Sequence, residues 1–465
     1  MKKISLFFVF VLFNITLIQA KDGYNIKVKV KGVKDTVCYL ANYYGSKQYL
    51  KDTANVDDKG NFVFQGQEQL PGGIYIVVLP DKKYFEFIVN KEQKISLETD
   101  INDLVKNMKI KGSPENKLFY DYLNFINKKQ QEIMPLKETL KKVKNNKDST
   151  NLIQEDIKKI NEQVKNYKIK FITDNPKTFI AKIFNASKEI DIPEAPVLGN
   201  GKKDSLFAYQ YYKKHFFDNI DFSDDRLLRT PVFYNKLNQY MTTVIVPHPD
   251  TIIKESDAII EKARDNKEVF KYVVSYLTDK YLTSNIMGYD AIFVHLAEKY
   301  YMTNQAYWTS PTNLEKIIKR AKTLRPLLIG EKAPNIMMED TMGLVYSLYN
   351  IKAKYTILLF WNVNCGFCKK EMPKLKKLYD NKSLNTEVYA VYTSTDIKKW
   401  KDYIKKENLK WINVGGKKCN INYREVYDVY SVPTLYLLNE NKEIIAKKIN
   451  VDQIQGFIKR DMKHP

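Results

Sequence analysis

Between residues 24 and 112 apolar and polar positions alternate with a period of two, as in Ile26-Lys27-Val28-Lys29-Val30, Phe62-Val63-Phe64 and Tyr84-Phe85-Glu86-Phe87-Ile88. Alternation sends successive side chains to opposite faces, so these segments are predicted to be strands with one wetted face. Asp57-Asp58-Lys59-Gly60-Asn61, Pro71-Gly72-Gly73 and Pro80-Asp81 punctuate them with turn-forming residues. Short strands at such intervals predict a small antiparallel β-sandwich over residues 21–112.

From residue 114 the period lengthens toward that of a helix, as in Leu118, Tyr122, Phe125 and Ile126, which predicts an α-helical domain over residues 113–325. Residues 137–170 are rich in Lys, Glu, Gln and Asn with spaced Leu, Val and Ile. They predict a helical hairpin turning near Asn145-Asn146-Lys147-Asp148, solvated on its outer faces rather than joined to a coiled-coil partner. Residues 193–204, with Gly199-Asn200-Gly201, form a loop, and Pro247-His248-Pro249-Asp250 and Ser310-Pro311 precede new helices. Proline suits a first helical turn because its missing N–H has no partner there anyway.

After Pro326 strands alternate with helices, predicting an α/β domain over residues 326–465. Residues 356–360, Thr-Ile-Leu-Leu-Phe, are the short continuous apolar run of a strand buried on both faces. Trp361-Asn362-Val363-Asn364-Cys365-Gly366-Phe367-Cys368 follows at once and leads into a helical stretch through Tyr379.

At 465 residues the chain exceeds one core, and with 44% hydrophobic and 28% charged residues it has the composition of folded domains. Lys2 and Lys3, the apolar residues 4–18 and Ala20 make a signal-peptide pattern over residues 1–20. The apolar part, interrupted by Asn14 and Thr16, is shorter than the ~20 residues of a spanning helix, and no cysteine follows it closely to carry a lipid. Export to the periplasm or cell envelope is therefore expected. The net charge of +22 comes from lysines spread through every segment, not from a stripe, so no nucleic-acid partner is expected.

Four cysteines, Cys38, Cys365, Cys368 and Cys419, are too few for a disulfide framework, and Cys365 and Cys368 are spaced C-x-x-C. A cysteine where a helix begins meets free N–H groups and the positive end of the dipole, which stabilise a thiolate. Cys365 is thus expected to be the nucleophile, and Cys368, one turn further in, the shielded resolving thiol. A zinc site would need two more ligands, which neither lone cysteine nor the scattered His215, His248, His295 and His464 supply at metal spacing. No metal or organic cofactor is expected.

This segment resembles the thioredoxin superfamily, specifically the envelope branch of TlpA-like and cytochrome c maturation-type reductases. The resemblance rests on Gly330-Glu331-Lys332-Ala333-Pro334, Phe360-Trp361, Cys365-Gly366-Phe367-Cys368, Lys369-Lys370-Glu371-Met372-Pro373 and Val432-Pro433-Thr434. It implies a protein-disulfide oxidoreductase in which Pro433 is a cis-proline facing the dithiol and Val432 pairs with an extended substrate. It also places Trp361, Gly366 and Phe367 on the substrate-binding surface and makes Glu371 the residue that accepts or relays the proton of Cys368. Read locally, Glu371 is a surface helix residue next to Lys369 and Lys370. Pro373 is expected to kink its helix. The Gly366-Phe367 pair departs from the branch's frequent Pro before the second cysteine, and with no histidine between the cysteines the balance tilts toward a reductant. Expected partners are disulfide-containing exported proteins and a membrane thiol reductase as electron donor. Cys419 is read as a small apolar filler in a loop before a helix over residues 423–430, and Cys38 as buried and inert. The N-terminal Gly60-Asn61-Phe62, Pro71-Gly72-Gly73-Ile74-Tyr75 and Ile110-Lys111-Gly112-Ser113 resemble the β-domain ahead of thioredoxin in many large bacterial envelope proteins.

Peroxiredoxins, which resemble thioredoxins, carry Pro and Thr where this chain has Leu358 and Asn362, which argues against peroxide as the main substrate. A reading of another class stays open: an envelope binding or scaffold protein whose N-terminal domains recognise a partner or glycan, with a secondary or vestigial redox site.

Overall fold

The structure, a computed structural model, describes residues 23–143, 146–381 and 384–463. The expected leader, Asn145 of the expected hairpin turn, and His464 lie outside the described residues. The chain divides into two compact units between Val244 and Ile245.

The first unit begins with strands β1 (Tyr24–Lys31), β2 (Thr36–Tyr44), β3 (Lys47–Val56), β4 (Asn61–Gly66), β5 (Gly73–Val78), β6 (Tyr84–Val89), β7 (Lys94–Asp100) and β8 (Lys109–Lys111). They form two four-stranded sheets, ordered β4-β1-β7-β8 and β3-β2-β5-β6. The inward alternation, Ile26, Val28 and Val30 from β1, Phe62 and Phe64 from β4, Cys38 and Leu40 from β2, Phe85 and Phe87 from β6, closes one shared core. Pairing is antiparallel as expected except between β1 and β7, which run parallel because the chain traverses the other sheet before returning. Gly60 takes φ 82° in the turn before β4, where a Cβ would lie 2.3 Å from the Val30 carbonyl oxygen.

Helices α1 (Pro114–Lys142), α2 (Lys147–Asp174), α3 (Phe179–Ala186), α4 (Phe207–His215) and α5 (Pro231–Gln239) complete this unit. Ser113 caps α1, and the fully buried Asn116 donates to and accepts from the Ile88 backbone at 2.7 Å each, fastening α1 to β6. The hairpin expectation holds in the packing of α1 on α2, where Phe125 stacks on Tyr167 at 4.3 Å. Burial on α1 is confined to Glu115, Asn116, Phe119 and Tyr120, so its far part is wetted.

The second unit opens with α6 (Pro249–Lys262), α7 (Lys267–Leu282), α8 (Asp290–Leu296) and α9 (Pro311–Leu324), with proline in the first turn of α6 and α9. An α/β segment follows: β9 (Met337–Asp340), β10 (Val345–Ser347), β11 (Tyr355–Trp361), α10 (Gly366–Asp380), β12 (Thr386–Tyr392), α11 (Ile397–Glu407), β13 (Ile412–Cys419), α12 (Tyr423–Val426), β14 (Thr434–Leu438), β15 (Ile444–Lys447) and α13 (Val451–Asp461). Its seven strands are ordered β10-β9-β13-β12-β11-β14-β15, with β11 parallel to β12 and antiparallel to β14.

Every residue of β11 is buried. Ile357, Leu359 and Trp361 enter the core on one face of the sheet, while Leu358 and Phe360 enter the core on the other. That two-sided burial explains why the strand reads as an unbroken apolar run. Two local expectations differ from the structure. Cys419 closes strand β13, opposite Met338 of β9, and α12 stops at Val426. The chain cannot continue as a helix past Tyr427 because Asp428 stands at φ 53°. Among the described residues no helix is long and apolar enough to cross a membrane.

Candidate active site

Strand β11 delivers the chain to a tight turn in which Asn362 accepts from Asn364 N at 2.8 Å through its side chain and from Cys365 N at 3.1 Å through its carbonyl. Cys365 then caps α10 with extended backbone, φ −87° and ψ 119°, and its Sγ accepts the Cys368 N–H at 3.2 Å. The sulfur thus holds the place that a serine or aspartate side chain takes at other helix starts. Across from it the Cys365 thiol donates to the Val432 carbonyl at 3.2 Å, and the Val432–Pro433 peptide is cis.

The two sulfurs differ in exposure. Cys365 is half-buried, whereas Cys368 is 2% exposed. Burial, aided by its hydrogen bond with Cys365, pushes the Cys368 thiol from 9.0 up to about 12. Both are free thiols.

Phe367 is 73% exposed, with the Lys370 ammonium 5.8 Å from its ring centre, and a Cβ on Gly366 would meet nothing within 4 Å. The turn between the cysteines is therefore open to an approaching chain. Trp361 is not: its ring packs in the core against Tyr392 and Tyr403, at 5.6 and 5.3 Å, so the expected substrate contact is corrected to a supporting role beneath the turn.

Glu371 lies one turn past Cys368, but its carboxylate bonds elsewhere. Oε1 takes Lys374 Nζ at 3.0 Å and Oε2 accepts the Val451 N–H at 2.9 Å, tying α10 to the start of α13. Neither oxygen bonds to a sulfur in this structure, and the carboxylate holds two helices together. Glu371 and Pro433 both border a cavity of about 220 Å³, together with Asp428, Tyr430, Lys448 and Val451. Cys38 is buried in the sandwich, its thiol pushed up to about 11 by burial, and Cys419 lies at the end of β13.

Three charged residues near the Val432–Pro433 loop went unnoticed in the sequence. The Asp428 side chain, 2% exposed, is held by Arg320 and Lys448. An acid inside the apolar run Val426-Tyr427-Asp428-Val429-Tyr430 is a signal for a buried charge in need of a cation. Its guanidinium partner, 108 positions earlier, could not be found that way.

Comparison with known proteins assigns families to three segments of the chain. Residues 329–447 match the AhpC/TSA family, residues 24–119 match a domain of unknown function, DUF4369, and residues 142–325 match another, DUF5106. The thiol-disulfide oxidoreductase ResA of Bacillus cereus is 29% identical over 139 residues, which is 28% of this chain and 78% of that protein. ResA of Bacillus thuringiensis subsp. konkukian is 30% identical over 140 residues, again 28% of this chain and 78% of that protein. Among solved structures, a thioredoxin-like protein from Bacteroides caccae is 24% identical, covering 60% of this chain and 100% of its own, with a TM-score of 0.43. Through its C-terminal thioredoxin-like segment, the chain belongs to the ResA family of thiol-disulfide oxidoreductases.

Proposed function

We propose that the protein is an exported disulfide reductase that acts on disulfide-bearing proteins of the cell envelope through Cys365 and Cys368. The observation that carries this reading is the inequality of the sulfurs: Cys365 at the open start of α10, Cys368 shut away beneath it. The Cys365 thiolate attacks one sulfur of a substrate disulfide, the substrate's S–S bond breaks, and the departing thiolate takes up a proton. A mixed disulfide with Cys365 remains. Cys368 then loses its proton and attacks Cys365 Sγ, the mixed disulfide breaks, and the second substrate thiol leaves. Two electrons have passed to the substrate and the protein holds a Cys365–Cys368 disulfide.

Val432 and Pro433 are proposed to position the substrate, with the Val432 N–H and carbonyl offering strand-like pairing to an extended segment. Phe367 and Gly366 supply the open flank it crosses. Regeneration requires two electrons and two protons, for which a membrane thiol reductase is the proposed donor. The basic and then apolar residues 1–20 support export.

The test is the reduction potential of the Cys365–Cys368 couple, measured by equilibrating the mature protein in graded thiol buffers and trapping free thiols. A value near or below about −200 mV supports a reductase, and a value near about −120 mV overturns that direction in favour of an oxidant. A protein with no reversible two-thiol couple would be a binding or scaffold protein instead.

A further inference from the structure

The loop that brings Val432 to Cys365 is pinned along most of its length. At its start the Tyr427 carbonyl accepts from Tyr436 Oη at 2.6 Å. Val429 is 1% exposed, and the Ser431 carbonyl accepts from Thr434 Oγ1 at 2.7 Å. Between them sits Asp428, in the left-handed region at φ 53°, a conformation that a non-glycine residue keeps only when its surroundings hold it there.

Backbone bonds of a helix C-cap form that turn, Val429 N–H on the Arg424 carbonyl at 2.9 Å and Asp428 N–H on the Glu425 carbonyl at 3.4 Å, and the buried Asp428 carboxylate is held in addition by two partly exposed cations. Arg320 meets both carboxylate oxygens, Nη1 on Oδ1 and Nη2 on Oδ2 at 3.1 Å, while Lys448 Nζ reaches Oδ2 at 2.9 Å. Burial alone would push this carboxyl up, but the bonds from Arg320 and Lys448 outweigh it and keep the group ionised. The forked guanidinium matters more than a point charge because two parallel bonds fix the carboxylate plane, and with it the backbone that carries it. Arg320 stands on α9, within the stretch that matches DUF5106, whereas Asp428 stands within the stretch that matches the AhpC/TSA family.

We propose that Arg320 is a positioning residue for the redox reaction: by clamping Asp428 it fixes where the Val432 carbonyl and its neighbouring peptide stand relative to the Cys365 sulfur. The helical segment would then take part in the chemistry of the dithiol without touching it. The inference rests on Cys365 and Cys368 being the reacting pair. It predicts that loosening a clamp four residues from Val432 degrades the strand-like seat for substrate and the hydrogen bond to Cys365 together.

The experiment compares full-length wild type, Arg320→Met and Arg320→Lys for reduction potential and for kcat and KM on a disulfide-bonded peptide. Arg320→Met is expected to cut kcat/KM about tenfold, mainly through KM, the scale of a sub-ångström misplacement. Its couple is expected to shift by up to a tenfold change in equilibrium constant, about 30 mV for two electrons. Arg320→Lys, which keeps the charge and loses the fork, should fall between, about threefold down in kcat/KM. Wild-type potential and wild-type KM in Arg320→Met, with only the melting temperature lowered, would overturn the inference and leave Arg320 a structural residue. Should Arg320→Met not fold, Arg320→Lys is decisive, and wild-type values in it overturn the inference equally. Absence of a reversible couple in the wild type would instead defeat the assignment of the dithiol.

Discussion

Release of the reduced substrate should be governed by the burial of Cys368, and its pH dependence exposes that. Displacement from 9.0 to about 12 disfavours the Cys368 thiolate by about 4 kcal/mol, at 1.36 kcal/mol per tenfold, or about a thousandfold at neutral pH. Desolvation is the larger cause and persists in the mixed disulfide, when the Cys365 thiol has been consumed. The second step should therefore accelerate about tenfold per pH unit from pH 7 to beyond 9, with no plateau at the ordinary thiol value. An aromatic disulfide that releases a coloured thiolate at each step separates the phases in a stopped-flow trace: the first from attack by Cys365, the second from attack by Cys368. A second phase that levels off below pH 9, or is flat from pH 7 to 9, would refute the reasoning, because Cys368 would then ionise normally or be deprotonated by a base that replaces solvent. The same displacement makes the reduced protein lose stability as pH rises from 9 toward 12, since the unfolded chain ionises its thiol first while the folded one resists. The oxidised protein, lacking that thiol, should not show this part of the slope, and Cys38 contributes equally to both forms.

Cys368→Ser should accumulate a mixed disulfide at Cys365 that intact-mass measurement detects, while Cys365→Ser should form none. Leu358→Ala, at a position with no exposure at the centre of the α/β sheet, should cost about 3 kcal/mol in urea unfolding, the usual price of a buried leucine cavity. Asn116→Ala should destabilise the first unit by about 2 kcal/mol, read from the urea transition of its tyrosines, because the Ile88 N–H and carbonyl would stay buried without partners. Asp224 is pushed up by burial, but bonds from Arg226 and Lys182 prevail and hold it at about 2 against an ordinary 3.8. Its depressed value contributes about 2 kcal/mol that is present above pH 4 and lost as pH falls through 2, and Asp224→Asn should remove that part of the acid slope in urea midpoints from pH 2 to 6.

Elements whose cause is local were legible in the sequence. The two-sided burial of β11 wrote an apolar run into residues 355–361, and the sandwich wrote its alternation into β1, β4 and β6. The Cys365 cap could be read because strand, turn and helix are adjacent in the chain. What escaped depends on distant neighbours. Nothing near Trp361 says that Tyr392 and Tyr403 enclose it, and nothing near Glu371 says that the Val451 N–H arrives at its carboxylate. The parallel pairing of β1 with β7 is invisible to a period-two pattern, which is the same for either direction. The early end of α12 follows from a left-handed backbone at Asp428, closed by the Val429 N–H on the Arg424 carbonyl and accompanied by distant cations on its carboxylate.

The side chain of Lys447, 6% exposed on β15, bonds to the Asp290 carboxylate and the Leu327 carbonyl, both contributed by the segment before the α/β sheet. Burial lowers its pKa, and the carboxylate opposes that. A thioredoxin-like segment placed under a different neighbour that keeps Lys447 buried would carry this ammonium without its counter-charge, a loss on the scale of 3–5 kcal/mol. Recombination that swaps either segment must then also replace Lys447 with an apolar residue or bring a matching acid, so that in evolution the two are expected to travel as a pair.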